Sequence, residues 1–217
     1  MNIIGQYYRA VFLNQKNKPK AVVVSYDFGS GAKLMEHSWA KNPMVRFVEK
    51  QLINEPQKLV WAGDYADNED SSTLTNEEIK ALADESSTYM NSEAIKKEGV
   101  NLFTLSYLVS KLVANEDIED KYNHEFKQTS IAPLTTKYIV NHDKKQFVDK
   151  TKVPKDADGW RIHPLPLLTC EGNGRGGGDY HGKSELVGSW ARDIISVETK
   201  KADFPKDYTE LIFDLVE

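Results

Sequence analysis

The sequence predicts an α+β fold, with β-hairpins in the N- and C-terminal parts of the chain and helices in its middle segment. Runs rich in β-branched and aromatic residues occur within residues 7–28 and 137–149, and a polar turn divides each of these stretches. Between them, apolar residues at helical spacing follow recognisable N-caps. Because strands and helices are segregated along the chain, the pattern favours α+β over a doubly wound fold.

The N-terminal part is predicted to hold a hairpin and a helix. Residues 7–13 and 21–28 are the two strand-like runs, and the turn-forming sequence N-Q-K-N-K-P-K joins them. Asn42 is a suitable N-cap for a helix with Pro43 at its first position, and Pro56 ends that helix. The apolar positions of the helix follow helical spacing: Met44, Val45, Phe47, Val48 and Leu52.

Two further helices are predicted in the middle of the chain, after a short buried strand, K-L-V-W-A, at residues 58–62. Thr75 and Glu78 are cap-like residues for a helix that runs through Ala83. A second helix is predicted over residues 102–113, because its apolar residues form a stripe: Leu105, Leu108, Val109 and Leu112. A stripe of this kind predicts that the helix buries one face in the core.

The C-terminal part is predicted to be β-rich. Residues 137–140 and 146–149 flank N-H-D-K-K, which is typical of a compact hairpin. Residues 165–169 read as a strand, and the prolines at its start place that start at a sheet edge. At least one more strand is expected within residues 186–197, and residues 210–216 form a last apolar segment.

The length of 217 residues suits one domain, 1–217, with halves 1–130 and 131–217 as the alternative division. The two halves show a similar order of parts: a hairpin with a lysine-rich turn, a glycine-containing turn and a tryptophan followed three residues later by an aspartate. This order suggests an internal pseudo-repeat. The alternative explanation is a chance similarity between two β-rich segments. In either case Trp61 and Trp190 are predicted to be buried core anchors.

Composition and charge exclude several classes of function. A net charge of −5 disfavours a nucleic-acid coat, whose surface would be basic. No apolar run approaches the length of about 20 residues that a membrane span needs. The single cysteine, Cys170, and the absence of a signal-like N-terminus indicate the cytoplasm. The five histidines are scattered, so we predict no metal site and no cofactor.

The strongest indication of a site is the glycine-rich segment C-E-G-N-G-R-G-G-G-D-Y-H-G, which begins at Cys170. Glycine costs more backbone entropy to order than any other residue, so this density suggests either a loose surface loop or a backbone that approaches a ligand or partner closely. Arg175 adds a planar charged fork that suits a carboxylate or phosphate. The predicted binding residues are Arg175, Asp179, Tyr180, His181 and Arg192.

Catalytic interpretations of the same region have weaker support. The string G-N-G-R-G-G fits a dinucleotide fingerprint only as a string, because no helix is predicted after it. Cys170 is a nucleophile only with a base beside it, and a buried structural cysteine is the stronger expectation. Asp64 and Asp193 would form a carboxylate pair only if the two halves face each other, and hydrogen bonding to turn amides is the commoner use of such residues. We therefore assign no catalytic residue.

Several strings spread over most of the chain resemble those of uncharacterised proteins of bacteria and their phages. Among them are K-L-M-E-H-S-W, V-W-A-G-D-Y-A-D and G-N-G-R-G-G-G-D-Y. The resemblance suggests one family of phage-encoded or bacterial proteins with no established activity, so it carries over no functional residue.

Three classes of function stay open after these observations. The first is a binding or interaction protein, such as a phage or mobile-element accessory protein that acts on a host partner. Its binding partner would be another protein or a small anionic ligand. The second is a small hydrolase or transferase with a carboxylate–histidine site near the glycine-rich segment. The third is a nucleic-acid binder that uses Arg175, Lys183, Arg192 and the aromatic residues. We rank them in this order, with nucleic acid the least favoured partner.

Overall fold

A computed structural model of the chain describes residues 6–85, 90–112, 136–172, 180 and 184–216, and its N-terminal hairpin pairs with a third strand. Strand β1 (Tyr8–Leu13) lies between β2 (Pro19–Val23) and β3 (Gln57–Gly63) and is antiparallel to both. The side chain of Asn14 accepts hydrogen bonds from the amides of Lys16 and Lys18, which closes the turn between β1 and β2. The predicted N-terminal hairpin is therefore confirmed, but its second strand ends at Val23 and not at residue 28, because Ser25–Phe28 form a 3-10 helix.

The C-terminal strands extend the same sheet. Strands β4 (Tyr138–Asn141) and β5 (Gln146–Asp149) form the predicted hairpin. Strand β6 (Cys170–Glu171) pairs with β3 in parallel, β7 (Ile194–Glu198) is antiparallel to β3 and β4, and β8 (Thr209–Glu210) is parallel to β5. Over the described residues the order is β2-β1-β3-β7-β4-β5-β8, with β6 beside β3.

Strand β3 is the point where the two parts of the sheet meet. Its first residues, Gln57 and Lys58, pair with β7, whereas Trp61 and Ala62 pair with β6. The turn that precedes β7 continues this pairing, because the amide of Arg192 donates to the carbonyl of Leu59 at 2.8 Å. One edge of β3 thus receives two separate segments from the C-terminal part of the chain.

Six α-helices lie in the described part of the chain, and capping residues define where most of them begin. They are α1 (Leu34–His37), α2 (Pro43–Asn54), α3 (Asn76–Asp84), α4 (Ser92–Glu98), α5 (Leu102–Leu105) and α6 (Pro164–Thr169). Asn42 accepts from the amide of Met44 at 2.9 Å, as expected of an N-cap. Thr75 and Glu78 form a reciprocal capping box at the start of α3. None of the helices in the described ranges is long and apolar enough to cross a membrane.

The alternation of side chains along β1 and β3 divides the core into two layers. Phe12 and Trp61 belong to the face that α2 covers, whereas Val11 and Val60 belong to the face that α3, α4 and α5 cover. A third, smaller cluster forms on the C-terminal strands around Val140, Phe147 and Phe204. Trp61 and Trp190 are fully buried in the first cluster, which confirms their predicted role as core anchors.

A buried ion pair also connects α2 to the C-terminal part of the chain. The ammonium group of Lys150 contacts the carboxylate of Glu49, and its Nζ lies 3.0 Å from Thr136 Oγ1. The imidazole Nε2 of His163 faces the same carboxylate at 3.1 Å. Burial alone would raise the pKa of Glu49, but His163 and Lys150 together lower it well below its ordinary value. The Glu49 carboxylate is therefore a buried charge that depends on its partners.

The α+β class is confirmed, but two predicted elements are wrong. Residues 165–169 belong to helix α6, not to a strand, because His163 caps the helix and Pro164 occupies its first position, where no amide is needed. The helix expected over residues 102–113 ends early: α5 passes into a 3-10 turn, Ser106–Leu108, and the chain then pairs with β2 at Val22. Leu112, expected in the core, is consequently exposed.

The internal pseudo-repeat stays a prediction, although the two hairpin turns share local features. Asn141 accepts from the amide of Lys144, as Asn14 does from the amides in the first turn. The two tryptophans of the pattern differ, since Trp61 lies in β3 whereas Trp190 lies in a turn. The sheet combines strands from residues 1–130 and 131–217.

Candidate functional site

A cavity of about 310 Å³ lies where strands β3 and β6 end and the glycine-rich segment begins. Small residues and backbone form much of its wall, while charged groups enter from two sides. The residues that line it are Ala66, Asp67, Cys170, Glu171, Gly172, Val187, Gly188 and Arg192. Its volume is at the lower end of the range for ligand pockets, and it would hold one large side chain or a small organic molecule.

The end of β3 requires glycine at position 63. A Cβ atom on Gly63 would lie 2.7 Å from the carbonyl oxygen of Glu171 and 2.4 Å from Nε2 of Gln6, closer than side-chain atoms pack. The Gln6 side chain is buried, and its Oε1 accepts a hydrogen bond from Tyr8 Oη at 2.9 Å. Its Nε2 has no hydrogen-bond partner in the described part of the chain. A buried amide donor therefore lies near the backbone of Glu171, a residue that lines the cavity.

Arg192 joins three segments around the cavity. Its Nε donates to Glu171 Oε1 at 2.5 Å and its Nη2 to Glu171 Oε2 at 2.7 Å, which is a bidentate pair. The same Nη2 donates to Glu69 Oε1 at 2.5 Å. The hydrogen bonds to Glu171, followed by those to Glu69, raise the pKa of Arg192 above its usual value, although burial opposes them. The guanidinium is thus already neutralised by two carboxylates.

The backbone of Arg192 is also unusual, because its φ is 66°. Residues other than Gly, Asn and Asp rarely adopt this left-handed conformation. Backbone strain of this kind often accompanies functional sites. Here the conformation turns the chain from the Gly188–Arg192 side of the cavity into β7. The two carboxylates hold the side chain in a fixed position despite that strain.

Two exposed tyrosines belong to the segments that lead into the cavity wall at Ala66 and Asp67. Tyr65 directly precedes the lining residue Ala66. The backbone amide of Tyr7 donates to Asp64 Oδ1 at 3.0 Å, and its carbonyl accepts from the amide of Asp64 at 3.0 Å. The side chains of Tyr7 and Tyr65 are each 47% exposed. Exposed aromatic residues beside a cavity are typical of recognition surfaces. The sequence alone did not distinguish Tyr7 and Tyr65 from the other aromatic residues of the chain.

The structure describes two of the five residues predicted for binding. Arg192 lines the cavity, but it is held by Glu69 and Glu171 and does not present a free guanidinium. Tyr180 packs against the main core cluster, and its hydroxyl donates to the carbonyl of Val216 at 3.4 Å. Arg175, Asp179 and His181 lie outside the described residues, so their positions stay predictions.

Cys170, Asp64 and Asp193, which are the described groups considered for catalysis, have structural contacts, whereas Asp179 and His181 lie outside the described residues. Cys170 is buried, its Sγ donates to the carbonyl of Leu167, and burial raises the pKa of its thiol to about 12. Asp64 accepts from the amide of Tyr7, whereas Asp193 accepts from the Asn141 amide group and pairs with Lys144. The two aspartates therefore have separate hydrogen-bond partners. No metal-binding group of three acidic, histidine or cysteine side chains occurs among the described residues.

Two further hydrogen-bonded groups, one around His37 and one around His142, were not predicted from the sequence. His37 accepts a hydrogen bond from Trp61 Nε1 at 2.8 Å and contacts the carbonyl of Gly31 with its Nδ1, at 3.0 Å. His142 Nε2 lies 2.9 Å from the Ser196 hydroxyl, which in turn donates to Glu198 at 2.8 Å. Ser196 is buried and its proton is directed at a carboxylate, so this group does not present a nucleophile activated by a base. The alternation of side chains along β7 places residues 196 and 198 on the same face of the sheet, and this alternation is the sequence signal for their contact.

Comparison of the chain with protein-family models, curated proteins and solved structures finds no match.

Proposed function

We propose that the protein is a binding or interaction protein and that its recognition surface consists of the cavity, the exposed Tyr65 beside it and the glycine-rich segment with Arg175, Asp179, Tyr180 and His181. The observation that carries the proposal is the position of the cavity, whose wall includes Glu171 and Gly172, the residues from which the glycine-rich segment starts. A cavity with exposed aromatic residues at its edge suits recognition. The described polar groups offer no activated nucleophile that would favour a hydrolase or transferase.

A protein partner is better supported than a small anionic ligand. An anion in the cavity would meet Asp67 and Glu171, while the charge of Arg192 is already compensated by Glu69 and Glu171. The same acidic groups, together with the net charge of −5, disfavour nucleic acid. We place this interaction in the cytoplasm, in line with the single cysteine, and the resemblance to phage-encoded proteins suggests a host protein as the partner.

Quantitative affinity capture from the host cell tests the proposal. The double variant Arg175→Ala, Tyr180→Ala should lose a partner that the wild-type protein enriches, whereas the matched variant Lys50→Ala, Tyr26→Ala should retain it. The control removes one positive charge and one tyrosine at exposed positions that do not line the cavity. The Lys50/Tyr26 variant should keep the wild-type melting temperature, whereas Tyr180→Ala removes packing against the core and should lower it. Capture is therefore compared at a temperature at which circular dichroism shows all the proteins to be folded, and Arg175→Ala alone is included as the variant that leaves the core packing of Tyr180 in place. Equal enrichment by wild type and by the Arg175/Tyr180 variant would show that recognition takes place elsewhere.

A further inference from the structure

We infer that the cavity accepts a basic side chain, arginine or lysine, of the protein partner. This inference rests on the proposed function, because it names the chemical group that the recognition surface would take. It is carried by the charges that line the cavity, by their arrangement around Arg192 and by the volume available.

Among the residues that the structure describes, acidic side chains outnumber basic ones around the cavity. Asp67 and Glu171 line it, Glu69 lies directly behind Arg192, and Arg192 is the single basic residue among the lining residues that the structure describes. The bidentate pair between Arg192 and Glu171 already satisfies the guanidinium. The carboxylate of Asp67 is exposed and is free to meet a cation that enters from solvent. A second cation would therefore complete the charge pattern, whereas an anion would be repelled.

The shape of the cavity agrees with one elongated side chain. A volume of about 310 Å³ is enough for a guanidinium with its aliphatic stem but small for a nucleotide. Ala66, Val187 and Cys170 give the stem apolar surface, and the exposed carboxylate of Asp67 gives the head a charged acceptor. Basic side chains bind in this divided manner, with the stem on apolar surface and the charge near water or carboxylates. Tyr65 is exposed and precedes the lining residue Ala66 in sequence, and we infer that it is the aromatic residue that contacts the same cation.

An NMR titration with three small probes of similar size tests the inference. N-butylguanidinium, butyramide and butyrate are added separately to the ¹⁵N-labelled protein at low salt. We expect N-butylguanidinium to shift the amide signals of Ala66, Asp67, Val187 and Gly188, and the two other probes to leave them unchanged. Asp67→Asn should weaken the binding of N-butylguanidinium about fivefold, and added salt should weaken it further. Asp158→Asn, which removes an exposed carboxylate that does not line the cavity, should bind as the wild type does.

The outcomes separate this inference from the proposed function. Binding of butyrate at the cavity, no binding of N-butylguanidinium, or equal affinity in wild type and Asp67→Asn would overturn the inference. If the Arg175/Tyr180 variant loses its partner while N-butylguanidinium leaves the amide signals of the cavity residues unchanged, the proposed function stands. Only the inference that the cavity accepts a basic side chain is then wrong. If N-butylguanidinium binds the cavity but the Arg175/Tyr180 variant captures its partner normally, the glycine-rich segment is not part of the recognition surface.

Discussion

The guanidinium of Arg192 forms a two-bond fork with the carboxylate of Glu171, at 2.5 Å and 2.7 Å, although the two residues lie on different segments at the end of the sheet. Glu171 belongs to β6, from which the glycine-rich segment starts, and Arg192 belongs to the turn that leads into β7. The fork therefore fixes the base of the glycine-rich segment against the rest of the sheet. Glu69 adds a third segment through the same guanidinium.

Removal of one charge from this fork should destabilise the fold. Glu171→Gln loses the bidentate geometry and leaves a half-buried guanidinium with Glu69 alone, so we expect a loss of about 2 kcal/mol in the free energy of unfolding. Urea denaturation of Glu171→Gln, Arg192→Gln and the double variant gives the coupling between the two side chains. Glu210→Gln, which breaks the exposed pair with Lys152, is the control and should leave the denaturation midpoint nearly unchanged. Additive effects of the two substitutions at the fork would contradict the account.

The buried histidine next to Trp61 should make stability depend on pH. Burial lowers the pKa of His37 from 6.5 to about 4, although the hydrogen bond to Gly31 opposes this effect. Between these two values the unfolded chain binds a proton that the folded chain does not, so the free energy of unfolding falls as the pH falls from 6.5 to 4. The full difference corresponds to about 3 kcal/mol. Urea denaturation at several pH values should show a smaller acid-induced loss in His37→Gln than in the wild type, and identical pH profiles would contradict this prediction.

The buried charge of Glu49 should depend strongly on Lys150. Lys150→Met keeps the aliphatic stem but leaves the carboxylate with His163 as its partner, and we expect a loss of about 3–5 kcal/mol. The double variant Glu49→Leu, Lys150→Met removes both charges and should recover most of that loss. Chemical denaturation measures both variants. A Lys150→Met protein as stable as the wild type would show that the pair adds nothing to the fold.

The two buried tryptophans should contribute far more to stability than the exposed one. Trp61→Ala and Trp190→Ala should each lower the free energy of unfolding by about 3–5 kcal/mol, because both side chains are fully buried. Trp160→Ala is the matched control, since that side chain is 60% exposed and should change stability by no more than about 1 kcal/mol. Thermal melts compare the three variants directly. If either buried tryptophan behaves like Trp160, the assignment of the core is wrong.

The sequence predicted the elements whose signals are local. Asn42 and Pro43 defined the start of α2, and the polar turn after Leu13 defined the first hairpin. Local signals failed where two interpretations compete. The prolines at 164 and 166 suit both a strand edge and the first turn of a helix, and the capping side chain of His163 decides for the helix.

The contacts around the candidate site could not be predicted in the same way. The fork between Arg192 and Glu171, and its extension to Glu69, join residues that are distant in sequence. They come together only because β6 pairs with β3, and no periodicity in the sequence specifies that pairing. Arg192 was identified as a site residue because of its proximity to the glycine-rich segment, but its partners and its left-handed backbone follow from the tertiary structure. Arg175, Asp179 and His181 stay predictions.

Site-specific photo-crosslinking in the host cell is the most direct test of the central claim that the protein recognises a partner at the cavity. A benzophenone amino acid in place of Tyr65 keeps an aromatic side chain at the position that precedes the lining residue Ala66. The same substitution at Tyr26 or Trp160, each 60% exposed against 47% for Tyr65, provides controls that are at least as exposed and do not line the cavity. We predict that irradiation of the position-65 protein yields one crosslinked protein partner, and that the two controls do not yield it. A partner crosslinked from Tyr26 or Trp160 but not from Tyr65, or no crosslink from any of the three positions, would contradict the account.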